Sequence, residues 1–276
     1  MDKGFRFGNR KSYLVLDKLG NGFEGTVYAV YSKKELKAAK ITIIGEETIY
    51  QCSSYSRSEF DLRRSHPFKP LPAKWYSCAD DDLKNEVIDV LKLLKQQHAL
   101  HSQIQRKKIP WLIPPLQDYG LLLLPSDDGL TPATWEIYPL VQGQTLKRLL
   151  DNLNDVILMQ SFLNTGRIRA GIDAKAAYSR LADMVIQQLT HGIEILYKHG
   201  FAIAEIDLHP SNLLFGAVDG GANRVYLIDN RLCAEGCGCN KDELLNEIEM
   251  VGGHIRDWHK KGMIYSAYYN SLIDDI

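Results

Sequence analysis

Asp207 and Asn212 stand together in the run AEIDLHPSNLLF, residues 204–215, an acid and an amide set between two apolar segments. A carboxylate in such a place can receive the proton of a hydroxyl, and an amide oxygen can help hold a divalent cation. A second aspartate, Asp229, closes the run RVYLIDN. Far upstream, Gly20, Gly22 and Gly25 stand at G-x-G-x-x-G spacing, followed by Val27. Glycines there let backbone amides approach phosphate oxygens with no side chain in the way. Lys40 lies in KAAKI, between Ala39 and Ile41. A lysine on a buried strand needs an anionic partner, and a nucleotide phosphate together with a carboxylate would serve. Each feature has a plain structural alternative: a polar turn, a glycine hairpin, a surface lysine. Together they describe phosphoryl transfer.

The elements that must position these residues can be read from periodicity. YLVLDKLGNGFEGTVYAVYSKKELKAAKITII alternates apolar residues at Tyr13 and Val15 and again at Val27, Ala29 and Tyr31. It reads as a strand, a glycine turn, a second strand, and a third from Ala38 to Ile44. A dinucleotide-binding glycine turn leads into a helix; here a strand follows, which favours a phosphate-covering hairpin. Residues 45–80 have no sustained period and read as an insertion. DDDLKNEVIDVLKLLKQQHAL then places Leu83, Val87, Val90, Leu91 and Leu94 on one helical face, with acids at its start. Glu86 flanks that stripe and is the expected partner of Lys40, with Glu59 and Asp82 as rivals.

WLIPPLQDYGLLLL and ATWEIYPLVQGQTLKRLL supply two more strand candidates, a turn and a helix start. Residues 152–173 look polar and irregular, a second insertion. A long helix from about Ala174 to Lys198 ends at Gly200. NLLF and RVYLIDN read as short strands joined by the glycine-rich GAVDGGAN, with Asp229 at the end of the second. Asn212 and Asp229 are thereby expected side by side as a metal site. A last helix spans about Lys241 to Lys260.

The 276 residues carry a formal charge of −1, with 45% hydrophobic and 24% charged residues. That balance excludes a disordered chain and the basic footprint of a nucleic-acid binder. The first twenty residues lack a continuous apolar core, so no secretory signal is expected. YGLLLLP is too short to span a bilayer. The chain reads as soluble and cytoplasmic. Five cysteines, Cys52, Cys78, Cys233, Cys237 and Cys239, at uneven spacing argue against a disulfide scaffold. CAEGCGC lacks paired C-x-x-C spacing and an adjacent histidine, so free thiols are expected in place of structural zinc.

In order and spacing, these features resemble the protein-kinase superfamily over about residues 13–260. LGNGFEGTVYAV looks like the glycine-rich loop, AAKI like the strand bearing the ATP lysine, and NEVIDVLKLL like the helix bearing its glutamate. IYPLVQGQTL looks like the hinge, EIDLHPSNLL like the catalytic loop and LIDN like the metal-binding strand end. The resemblance implies an α+β, bilobal kinase-like domain. Its small antiparallel-sheet lobe would span about residues 10–138 and its shortened, mainly helical lobe about 139–276. It implies ATP and Mg2+ as cofactors, with nucleotide contacts from Gly20, Asn21, Gly22, Gly25, Val27, Lys40 and Glu86. Tyr138 would be the gatekeeper and Leu140 part of the adenine-facing segment. Asp229 and Asn212 would bind metal, and Asp207 would take the acceptor's proton.

Three departures from the family pattern bear on function. Glu205 and Ile206 stand where the family has histidine and arginine, so a phosphorylated activation loop has no arginine partner there. Asp229-Asn230-Arg231 lacks the usual phenylalanine and glycine. Only a short segment, without serine, threonine or tyrosine, separates Asp229 from the last helix. These features resemble the short kinases that bacteria deliver into host cells, and imply an atypical Ser/Thr kinase acting on a protein, a host protein among the candidates, with its catalytic groups held either by packing or by an activating partner. DLHPSN also resembles the loop of aminoglycoside and choline phosphotransferases, which implies a small-molecule hydroxyl as the alternative acceptor. A nucleotide-binding pseudokinase scaffold is the third reading.

Overall fold

The computed structural model describes residues 6–7, 11–21, 25–44, 81–126, 129–165, 172–205 and 207–261. The expected insertion at 45–80, with Glu59, Cys52 and Cys78, lies outside the described residues, as do Gly22 and Ile206. The chain divides into two compact units. One comprises Met1–Gln105 and Pro115–Leu140, the other Arg106–Pro114 and Val141–Ile276. The fold is α+β.

The first unit is built on a six-stranded sheet of β1 (Arg6–Phe7), β2 (Tyr13–Asn21), β3 (Thr26–Ser32), β4 (Glu35–Ile43), β5 (Asp118–Ser126) and β6 (Gly129–Pro139). Spatial order is β1-β2-β3-β4-β6-β5 and every pairing is antiparallel. The period-two pattern sorts side chains cleanly to two faces. Tyr28, Val30, Ala39, Ile41, Trp135, Ile137, Leu122 and Leu124 form one buried cluster with Tyr13. Tyr13 donates its hydroxyl to Asp118 Oδ2 at 2.6 Å. Burial, then that hydrogen bond, pushes the phenol above its ordinary range. Helix α1 (Asp81–Arg106) covers part of the other face, where Val87 packs with Ile44 and Leu121. His101 of α1 is buried and its Nδ1 has no hydrogen-bond partner. Burial, with the neighbouring His98 second, pushes its pKa down to about 4.

The second unit combines α2 (Leu146–Thr165), α3 (Ile172–Lys198) and α4 (Lys241–Asp257) with two small sheets. One sheet orders β10 (Arg224–Leu227), β9 (Leu213–Val218) and β7 (Val141–Thr145); the other pairs β11 (Leu232–Ala234) with β8 (Phe201–Ile203). Along α3, Tyr178, Ala182, Val185, Leu189, Ile193 and Leu196 form the buried stripe. It packs against Leu244, Ile248, Val251 and Ile255 of α4. Gly252 permits that approach, since a Cβ there would lie 2.3 Å from Ile186 Cδ1. Asn240 caps α4, accepting the amide of Asp242 at 2.8 Å. Gly200, at φ 80°, ends α3 as its sequence position predicts. The irregular stretch expected at 152–173 is a correction: α2 continues through it to Thr165. Tyr178 holds the helix pair together by donating to the Leu150 carbonyl at 3.2 Å.

Gly143 of β7 faces Gly216 of β9 across the ladder, and a Cβ on Gly143 would fall 2.0 Å from the Phe215 carbonyl oxygen. Backbone cannot yield as a flexible side chain can. Gly143→Ala is therefore expected to lower stability by about 2 kcal/mol, read as a reduced midpoint in urea unfolding. A variant as stable as the parent would mean that β7 and β9 separate without cost.

Candidate active site

In the first unit, the glycine segment joins β2 to β3. Asn21 ends β2 and pairs with Thr26, and Gly20 pairs with Val27. A Cβ on Gly20 would meet nothing within 4 Å, whereas one on Gly25 would lie 2.3 Å from the Ile41 carbonyl oxygen. Gly25 is thus required by the close passage of β4, whatever else it does. Val27 pairs with Lys40, and Lys40 pairs in turn with Glu136 of β6. Directly opposed residues of an antiparallel ladder project to the same face. Val27, Lys40 and Glu136 therefore form one row, on the face opposite Ala39, Ile41, Trp135 and Ile137.

Lys40 and Glu86 are both half-buried, and Glu86 precedes the fully buried Val87 on α1. Tyr138 donates its hydroxyl to Glu136 Oε2 at 2.6 Å. Leu140, half-buried, ends the unit. The carboxylates expected for Lys40 from the sequence are Glu86, Glu59 and Asp82, and the strand register adds Glu136. Its signal is the alternation Thr134, Glu136, Tyr138 against Trp135 and Ile137, once the strand register is known.

In the second unit the loop after β8 is anchored on both sides of its polar residues. Leu208 and Leu213 are buried, whereas Asp207 and His209 are exposed. The Asn212 amide N–H donates to the His209 carbonyl at 2.7 Å and Ser211 N–H to His209 Nδ1 at 3.2 Å. The Pro210 carbonyl accepts the amide of Lys147 at the start of α2. These bonds fix a tight turn. Across it, Asn212 Nδ2 donates to Asp207 Oδ2 at 2.6 Å and reaches the Asp207 carbonyl at 3.4 Å. With its nitrogen engaged, Asn212 keeps its Oδ1 as an acceptor for a cation.

Asn212 leads directly into β9, and the hairpin of β9 and β10 brings Leu213 opposite Leu227. The Ile228 amide then donates to the Asn212 carbonyl at 2.8 Å, which sets Asp229 one residue beyond. Asp229 therefore follows the strand end, two residues past Leu227. Its φ is 58°, in the left-handed region. Aspartate tolerates that region better than most residues, at a cost on the order of 1 kcal/mol. Asp207, Asn212 and Asp229 are thus gathered at one end of one hairpin.

The thiols of the second unit are free. Cys233 is buried, Cys237 exposed and Cys239 between. Burial, then the neighbouring thiols, pushes Cys233 up, and burial, then Glu243, does the same to Cys239. Among the described residues, no group of three or more His, Cys, Asp or Glu side chains is arranged to hold a metal ion. Magnesium at a phosphate site asks for less, one or two carboxylates besides phosphate oxygens and water. Among the described residues no helix is long and apolar enough to cross a membrane.

No family model and no curated protein matches the chain. Its structural neighbours are protein kinase domains. Two double mutants of the PknI kinase domain from Mycobacterium tuberculosis are similar to it at 15% and 14% identity, with TM-scores of 0.37 and 0.40. The similarity covers 83% of this chain in both cases, and 63% and 62% of the solved chains. This chain thus spans less than two thirds of the length of those it matches.

Proposed function

We propose that the chain is an ATP-dependent phosphotransferase with an alcohol acceptor, an atypical Ser/Thr protein kinase with little activation segment. The observation that carries this reading is the Asp207–Asn212 hydrogen bond of 2.6 Å at the hairpin end that also bears Asp229. Asp207 holds the acceptor hydroxyl through its free oxygen and receives its proton as transfer proceeds. Asn212, by engaging one Asp207 oxygen, fixes the direction of the other. Asn212 Oδ1 and the Asp229 carboxylate supply hard oxygen ligands that suit Mg2+, which when bound neutralises phosphate charge. Lys40, paired with Glu86, offers its ammonium to the ATP phosphates. Gly20, Asn21, Gly25 and Val27 serve those phosphates, and Tyr138 and Leu140 serve the adenine.

The segment after Asp229 supports the absence of a phosphorylation switch. It forms β11, a turn at Glu235–Gly236 and the Asn240 cap, and contains no hydroxyl residue before α4. The catalytic groups are then held by packing or by an activating partner. A small-molecule kinase is the second reading, favoured by the exposed His209 two positions after Asp207 in DLHPSN. A non-catalytic scaffold is the third.

Labelled ATP, supplied with Mg2+ to the purified protein alone and with a cell extract, distinguishes them. Label on protein hydroxyls, absent with Asp207→Ala, is expected. Label on small molecules alone would favour the second reading, and nucleotide binding with no transfer would establish a scaffold.

A further inference from the structure

Glu136 occupies a place that the phosphotransferase reading does not use. It stands directly across the ladder from Lys40, and the next residue in that row, on β5, is Tyr119. Opposed side chains on one face of an antiparallel pair have Cβ atoms about 5 Å apart. A glutamate and a lysine at that spacing reach each other without distorting either strand. The strands beneath them are anchored by Ile41, Trp135 and Ile137, buried on the opposite face.

Glu136 is also confined on its other sides. Tyr138, two residues along the same strand, donates to Glu136 Oε2 at 2.6 Å. The residue opposite Tyr138 on β4 is the small Ala38. On the β5 side, the Tyr119 ring packs against His98 of α1 with centroids 5.5 Å apart. The Tyr138 hydrogen bond fixes the orientation of the Glu136 carboxylate on the strand.

We propose that Glu136 is a positioning residue for Lys40, a carboxylate within the sheet that aims the ammonium, with Tyr138 fixing the carboxylate. Glu136, carried by the adjacent strand, then acts on Lys40 in addition to the Glu86 of α1 expected from the sequence. Glu136 also couples the gatekeeper position to the phosphate-binding lysine through one hydrogen bond and one ion pair. The inference rests on the phosphotransferase reading for its consequence, but its first test does not.

That test follows the Lys40 side chain by NMR in protein labelled at lysine nitrogens, with Lys40→Arg identifying the signal. Glu136→Gln removes the charge at nearly constant shape, and Glu136→Thr does so with a residue suited to a strand. Either neutral variant is expected to lower the Lys40 titration midpoint by about one unit, whereas Glu136→Asp retains most of the parent value. An unchanged midpoint in the neutral variants would overturn the proposal, even if Glu86→Gln shifts it. In the transfer assay, the neutral variants are expected to raise KM for ATP about tenfold while kcat stays within about threefold. A shifted midpoint with unchanged KM would overturn the positioning role. If the parent protein transfers no phosphate, the functional reading fails, and the Lys40 titration still decides whether the ion pair exists.

Discussion

Asp207→Ala is expected to lower phosphoryl transfer by about a thousandfold while Mg2+-dependent ATP binding stays within about threefold of the parent. The separation follows from where the residue lies. Asp207 is exposed, its carboxylate accepts from Asn212 Nδ2, and the loop's anchors are Leu208 and Leu213. Removing the carboxylate leaves those anchors and the turn around His209 in place, so the loop keeps its course. What is lost is the oxygen that orients the acceptor and takes its proton. Asp207→Asn divides these two duties, since an amide can still orient a hydroxyl but is a poor proton acceptor. It is expected to be as inactive in kcat as the alanine variant, with acceptor KM closer to the parent. Transfer at the parent rate in Asp207→Ala would remove the residue from the chemistry. Loss of ATP affinity in the same variant would instead assign it to metal binding.

Much of this arrangement is legible in the sequence because it depends on local chemistry. Alternation in β3 and β4, the 3.6-residue stripe of α3 and the stop at Gly200 each follow from side-chain pattern alone. So does the β9–β10 hairpin, which sets Asn212 opposite Ile228, because the glycine-rich run between the two strands favours a turn. The helical stretch of α2 after residue 152 was hidden by Asn152, Asn154 and Asp155, residues that compete for backbone hydrogen bonds and lower helix propensity. Tertiary packing overrides that preference, and Asn154 is buried in the helix it was expected to break. β8 and β11 have three residues each, too few to display a period. Gly25 illustrates a different limit. Its spacing fits a phosphate loop, yet its contact is with the backbone of β4, which only the fold reveals. The place of Glu136 beside Lys40 depends on the register of two strands nearly a hundred residues apart, which no local pattern encodes.

Asp229→Ala should have the other large effect, and on a different step: Mg2+-dependent ATP affinity is expected to fall at least about a hundredfold. The reason is electrostatic. Asp229 is the carboxylate nearest in sequence to the hairpin end that bears Asn212, and the neutral amide of Asn212 cannot hold a divalent cation by itself. The backbone complicates the test. At φ 58° alanine is less well tolerated than aspartate, so Asp229→Ala also carries strain on the order of 1 kcal/mol. Asp229→Gly removes the carboxylate and the strain together, and Asp229→Asn keeps the shape and the tolerance for that φ while removing the charge. If the metal role is correct, all three lose Mg2+-dependent binding, measured by calorimetry with and without Mg2+, although the glycine variant is at least as stable as the alanine one. If only the alanine variant lost binding, the cause would be the distorted loop, and the metal would have to be held elsewhere. Retention of full activity in Asp229→Gly would sink the assignment of Asp229 altogether.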